Sequence, residues 1–221
     1  KSVLNMKSTF AIIAFFMAVT FHINAQDAFF TQTDAFLKKH VENGKVNYQE
    51  VKKDAALNQL VDQIGSQNLK NLNGKTKQAF LINAYNILVI KSVAEAYPIN
   101  SPEAVSGFFD SQKHTVGGRK VTLNDLEKQL LFKEFGDARF HFVLVCGALD
   151  CPPITNFAYT PEKLEQQLEK QTRLALNNSN FIKVNNDSKQ ASLSQIFNWY
   201  ASDFGGNKST AIDFINKYRT T

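Results

Sequence analysis

Cysteine is scarce in this chain. Only two of its 221 residues are Cys, and they stand close together as Cys146 and Cys151. A framework of several disulfides is excluded, and so is a zinc site built from cysteines. Several signatures are missing as well. There is no Gly-rich phosphate loop, no GxSxG, no HExxH, and no set of His and Cys at zinc spacing. No resident metal and no cofactor is therefore expected. No internal repeat, low-complexity tract or linker rich in Gly, Ser or Pro interrupts the chain, so one domain is expected. Lys and Arg form no cluster, and the net charge of +5 is mild for this length. Nucleic acid is not an expected partner. Phenylalanine, by contrast, is abundant at nineteen residues. Each Phe supplies a large buried area, so most are assigned to the core.

The first segment reads as a targeting signal. Lys7 precedes an apolar run over 11–21, and Ile23-Asn24-Ala25 offers a small residue before Gln26. This is the pattern of a cleaved secretory signal. The run is short for a bilayer span. Residues 1–25 are thus expected to be removed. Residues 26–221 are expected to form one exported domain, periplasmic or secreted, with no transmembrane segment after cleavage. Two cysteines in an oxidising compartment pair by default.

Periodicity predicts a helix over 28–42 and short helices over 50–71. The strongest helix spans 75–97. Its apolar residues cover almost every face, which marks a buried helix, and Tyr97-Pro98 ends it. Ser101-Pro102-Glu103 then reads as an N-cap followed by Pro at the first helical position. Residues 112–122 alternate around Gly117-Gly118, a hairpin signal. Thr122-x-x-Asp125 resembles a capping box for a helix reaching about Phe132. Residues 139–146 read as a strand apolar on both faces, hence central in its sheet. Another helix follows Thr160-Pro161. A second hairpin flanks 185–188, and a last helix starts near Ser209. The expected fold class is α+β: a single, mostly helical domain with a small antiparallel sheet, a buried central strand at about 139–146, and two hairpins.

Chemistry concentrates around 138–154. Cys146 ends the expected strand and precedes Gly147, which permits close approach to a ligand. Two readings stay open. Cys146 is a nucleophile, with a thiol activated by a neighbour, or it pairs with Cys151. His141 is the nearest base, yet on a regular strand it points away from Cys146. His114, in the first hairpin, is the alternative base. His40 is placed on a surface helix. Glu127 lies on the preceding helix. A buried carboxylate needs a partner, and Arg139 or His141 would serve. Asn83 and Asn86 share one face of the buried helix. They either bond the backbone near Cys146 or line a pocket. Trp199, Tyr200, Asp203 and Phe204 form an aromatic cluster with one acid, and core packing is expected for Trp199. The turn from Cys146 to Pro153 is expected to form one wall of the functional pocket.

Four blocks carry a resemblance: Ala79 to Asn86, Thr122 to Glu127, Arg139 to Ala148 with Cys151-Pro152-Pro153, and Leu193 to Tyr200 with Asp203-Phe204. In this order they resemble the family called domain of unknown function 547, over roughly 47–206. The resemblance implies an exported bacterial protein and no stated activity. Lys128 follows Glu127 where the family pattern has His, which argues against a His on that helix. Two functions are carried forward. One is a thiol-dependent hydrolase or transferase acting on a peptide-like or envelope-derived substrate. Cys146 is its nucleophile, His141 or His114 its base, and Glu127 or Asn86 the orienting group. The other is a binding domain for a small-molecule, peptide or envelope ligand. A Cys146–Cys151 disulfide stiffens its recognition loop, and Arg139 faces an anionic group.

Overall fold

Residues 79–90 are buried without a break, and the molecule is built around the helix that holds them. The computed structural model describes residues 25–146, 152–179 and 181–220. The long helix is α4 (Gly74–Ala96). It is long and apolar enough to cross a membrane, but most of it is enclosed by the rest of the protein. A helix apolar on every face is stable in water only when other elements cover every face. Here α1 (Ala25–His40) and α3 (Ala55–Ser66) form part of that cover, with the short α2 (Tyr48–Val51) beside them. Asp54 caps α3 by accepting from the Ala56 N–H.

Among the described residues the strands pair only as hairpins, in three separate two-stranded sheets. β1 (Val41–Glu42) and β2 (Lys45–Val46) meet through Asn43-Gly44, both at positive φ. This Asn-Gly pair is a hairpin signal in its own right, although helix periodicity gives Gly44 only as a stop. A Cβ added at Gly44 would stand 2.6 Å from the Pro153 Cβ, so the turn requires glycine on two counts. β3 (His114–Val116) and β4 (Arg119–Val121) join through Gly117-Gly118 as the sequence predicts. Both glycine N–H groups donate to the carbonyls of Ile64 and Gly65 that end α3. β5 (Ile182–Asn185) and β6 (Gln190–Leu193) form the third hairpin.

The capping box is present. The Thr122 side chain accepts from the Asp125 N–H, and the Asp125 carboxylate accepts from the Thr122 N–H. It opens α5 (Leu123–Asp125), which runs on as a π-helix over Leu126–Phe132 before α6 (Lys133–Phe135) closes the run. The remaining helices are α7 (Leu164–Leu176), α8 (Ile196–Trp199) and α9 (Lys208–Tyr218). Asn207, rather than Ser209, caps α9 through the Thr210 N–H.

The expected central strand at 139–146 is not a strand. Ala138–Phe142 is a 3₁₀ helix, followed by irregular chain. Continuous burial misleads a reading based on periodicity, because the segment lies between two cores. Phe140, Val143, Leu144 and Val145 belong to the main core around α4. Ala138 and Phe142 belong to a second core with Leu176, Phe181, Phe197 and Phe204. A 3₁₀ turn sends successive side chains in different directions, so it can feed both. Its backbone still needs partners. The Val143 N–H donates to the Phe140 carbonyl. Asn86 adds two more from α4: its Nδ2 donates to the Val143 carbonyl at 3.0 Å, and its Oδ1 accepts from the Val145 N–H at 3.0 Å. One side-chain amide thus takes the place of a neighbouring strand. The fold class stands as α+β and mostly helical, with small antiparallel sheets but no central strand.

Candidate active site

His141 lies between the two cores. The 3₁₀ helix carries it there, and its side chain is only 3 % exposed. Its ring stacks on Phe132, with centroids 4.4 Å apart, and lies 4.1 Å from the Tyr200 ring. Phe204 closes a further side. Nε2 lies 2.8 Å from Oδ2 of Asp203. A carboxylate only accepts, so Nε2–H donates, and in the neutral ring Nδ1 carries the free lone pair. Burial pushes His141 below its ordinary pKa, while the Asp203 hydrogen bond and charge pull it upward.

Glu127 comes from the first turn of the π-helix and is buried. No hydrogen bond from a described residue reaches its carboxyl. Burial, with a contribution from the Asp203 charge and against that of Lys128, pushes its pKa up to about 7. Tyr85 on α4 and Tyr200 both feel the Glu127 charge, and the Tyr200 phenol is pushed up to about 12, mainly by burial. The Glu127 carboxyl therefore lies near the Tyr85 and Tyr200 phenols, and burial favours its neutral form. A π-bulge is strained relative to an α-helix and commonly marks a functional position. Here it carries both Phe132, which stacks on His141, and Glu127, which interacts electrostatically with Asp203 and Tyr200.

A second His–Asp pair in the same protein provides an internal control. His40 Nε2 lies 2.7 Å from Asp54, and His40 is buried, not on a surface face. Asp54 is also the α3 cap and binds Lys39, and these contacts hold its carboxyl well below the usual range. That pair is tied into the frame of the protein on all sides. The His141–Asp203 pair differs in having beside it an acid that no described residue bonds.

The other predicted residues fall in several places. Arg139 does not meet Glu127. It binds Asp137 through Nε and Nη2 and Glu165 through Nη1 and Nη2, so it is neither the acid's partner nor open to an anionic ligand. A neutralised guanidinium in a fork of two carboxylates is a structural clamp between the 3₁₀ helix and α7. Asn83 donates to the Ala79 and Tyr159 carbonyls and accepts from the Tyr159 N–H. Both asparagines hold backbone, but only Asn86 does so near Cys146, through Val143 and Val145, whereas Asn83 holds Tyr159. His114 lines a cavity whose walls include none of the His141 group. Trp199 is 73 % exposed and does not pack in the core, because α8 buries Phe197 instead. Among the described residues no three His, Cys, Asp or Glu side chains converge as a metal site would require.

Cys146 follows directly on the segment that Asn86 holds and is half-buried. Cys151 lies outside the described residues, as do residues 147–150, so the expected pairing and most of the expected pocket wall fall outside them too. The strand-alternation argument that separated His141 from Cys146 no longer applies, since neither residue is on a strand. Sequence reasoning missed Asp203 and Tyr200 as members of the site. Their signal was the single acid within an aromatic cluster.

Residues 69–174, just under half of the chain, match the model of the family described as "Protein of unknown function, DUF547". The match includes Asn83, Asn86, Glu127, His141 and Cys146 and stops short of Tyr200 and Asp203. No curated protein and no solved structure matches the chain.

Proposed function

We propose that the protein is an exported member of the DUF547 family and a hydrolase or transferase that works by acid–base chemistry on a peptide-like or envelope-derived substrate. One observation carries this reading. The His141–Asp203 pair stands beside a buried Glu127 that has no hydrogen-bond partner among the described residues and whose pKa burial pushes up to about 7. In the reading, Asp203 fixes the ring so that Nδ1 takes a proton, and Glu127 delivers or receives one. Burial raises the pKa of Glu127 and lowers that of His141, so the acid keeps a proton to give while the ring keeps a lone pair to receive one, an arrangement suited to proton transfer. Asp203, not Glu127 or Asn86, orients the base.

Cys146 is read as half of a disulfide with Cys151 that stiffens the loop, in place of the thiol nucleophile. Two points support this: no free cysteine occurs among the described residues, and an exported chain meets an oxidising compartment. Export itself is read from the segment ending at Ala25. Sequencing the N-terminus of the secreted protein tests it, with Gln26 expected first.

The decisive experiment is turnover of peptide, ester and glycan-peptide substrates by the wild type, Glu127→Gln and His141→Gln, with and without iodoacetamide. Loss of about 10²–10⁴-fold is expected in each variant, the worth of one general acid or base, with the alkylating agent having no effect. Full activity in Glu127→Gln would reject the acid–base reading. Inactivation by iodoacetamide would restore Cys146 as the nucleophile.

A further inference from the structure

A second site lies away from His141. The walls of a cavity of about 340 Å³ come from α3, α4 and the β3–β4 hairpin. Its lining holds three ammonium groups, on Lys91, Lys113 and Lys120, against one carboxylate, Asp62. Lys91 is 2.6 Å from Glu95 and Lys113 is 3.6 Å from Asp125. Among the described residues, Lys120 has no carboxylate within ion-pair distance. His114 is 8 % exposed and lines the same cavity. Its Nε2 is buried with no hydrogen-bond partner, and no described residue bonds Nδ1. A buried ring nitrogen without a partner is a cost that folded proteins rarely leave standing. The helix C-terminus nearby does not offset the positive charge, because hairpin N–H groups already occupy the Ile64 and Gly65 carbonyls.

We propose that this cavity binds a small dianionic oxyanion of the phosphate class, held by Lys120 and Lys91 and hydrogen-bonded by His114. The volume is that of a small-molecule site, larger than a bare ion needs. An ammonium cluster with one ring N–H is suited to an anion of two charges and several acceptor oxygens. The protonation state of His114 follows from the same groups. Burial and the Lys91 and Lys120 charges hold it below its ordinary pKa, and Glu95 opposes them. Asp62 on α3 and Lys113 beside the ring complete the charged surroundings. A bound anion offsets the lysine charges, so binding draws a proton onto His114 and tightens as pH falls.

Calorimetric titration of the full chain with inorganic phosphate and with glycerol phosphate tests the proposal. Tighter binding of the former identifies a site for the free ion, tighter binding of the latter a site for a phosphorylated small molecule, and either supports it. Sulfate, whose charge is constant between pH 6 and 8, supplies the pH arm. Lys120 is exposed, so Lys120→Ala keeps the fold; it should weaken binding about tenfold, the worth of one charge-assisted contact. His114→Gln should weaken binding by a similar factor and abolish the pH dependence for sulfate. Lys183→Ala, which removes the same charge from another surface, should bind as the wild type does. Absence of binding by both phosphates, or equal losses in Lys120→Ala and Lys183→Ala, would overturn the proposal.

Discussion

Glu127 is the residue at which stability and chemistry pull against each other. Its folded pKa of about 7 stands above its ordinary 4.5. Between these values the folded protein holds a proton that the unfolded chain has released. The stability present below the unfolded pKa is therefore lost as pH rises through about 7. By linkage the loss is about 3 kcal/mol in order of magnitude. Glu127→Gln, which cannot ionise, should flatten the fall in denaturation midpoint between pH 5 and 8 and leave the variant more stable than the wild type at pH 8. A midpoint that follows the wild type across that range would show the carboxyl to be solvated. Had Glu127 been paired with Arg139, one of the two partners the sequence suggests, its removal would cost stability at neutral and alkaline pH, where the carboxylate is ionised. The Asp137–Arg139–Glu165 fork rules that arrangement out.

At the scale of elements, α4 does more than fill the core. It supplies the amides that replace a missing strand partner. Asn86→Leu keeps the same branched heavy-atom skeleton but strands the Val143 carbonyl and the Val145 N–H. Each orphaned group costs about 1–3 kcal/mol, so a loss of at least about 2 kcal/mol is expected in chemical denaturation. A change below about 0.5 kcal/mol would mean that water replaces the amide. The first hairpin offers a second test. At Gly44 the φ of +73° and the approach of Pro153 both exclude a side chain. Gly44→Ala should destabilise by about 1–3 kcal/mol, whereas Gly74→Ala, which meets no atom within 4 Å, should cost less. Equal effects at the two positions would remove the contact with Pro153 from the account.

Across the whole molecule, the 3₁₀ helix ties two cores together. Phe140 enters one and Phe142 the other, and Arg139 clamps the same segment to α7. The cores should therefore unfold in one transition. Near- and far-ultraviolet circular dichroism should give coincident denaturation curves, with Phe140→Ala and Phe142→Ala each shifting both curves by about 3–5 kcal/mol. Two separated transitions would show that the cores are independent units. The same arrangement places the candidate site. His141 stands between its two flanking phenylalanines, at the seam where the cores meet.

Much of this protein is legible in the sequence because it is decided locally. The all-round apolar α4, the Thr122–Asp125 capping box, the Pro102 turn and the Gly117-Gly118 hairpin each depend on residues a few positions apart. Glu127, His141 and the backbone-binding asparagines were recognisable as polar residues in apolar surroundings. Their partners were not. Asp203 reaches His141 from 62 positions away and Glu165 reaches Arg139 from 26, and nothing in local periodicity signals such pairings. The segment after Asp137 shows the reason most directly. Burial on all sides removes the alternation that distinguishes a strand from a turn, so its conformation depends on which distant groups satisfy its backbone. Tertiary structure decided that through Asn86, and with it which side chains face His141.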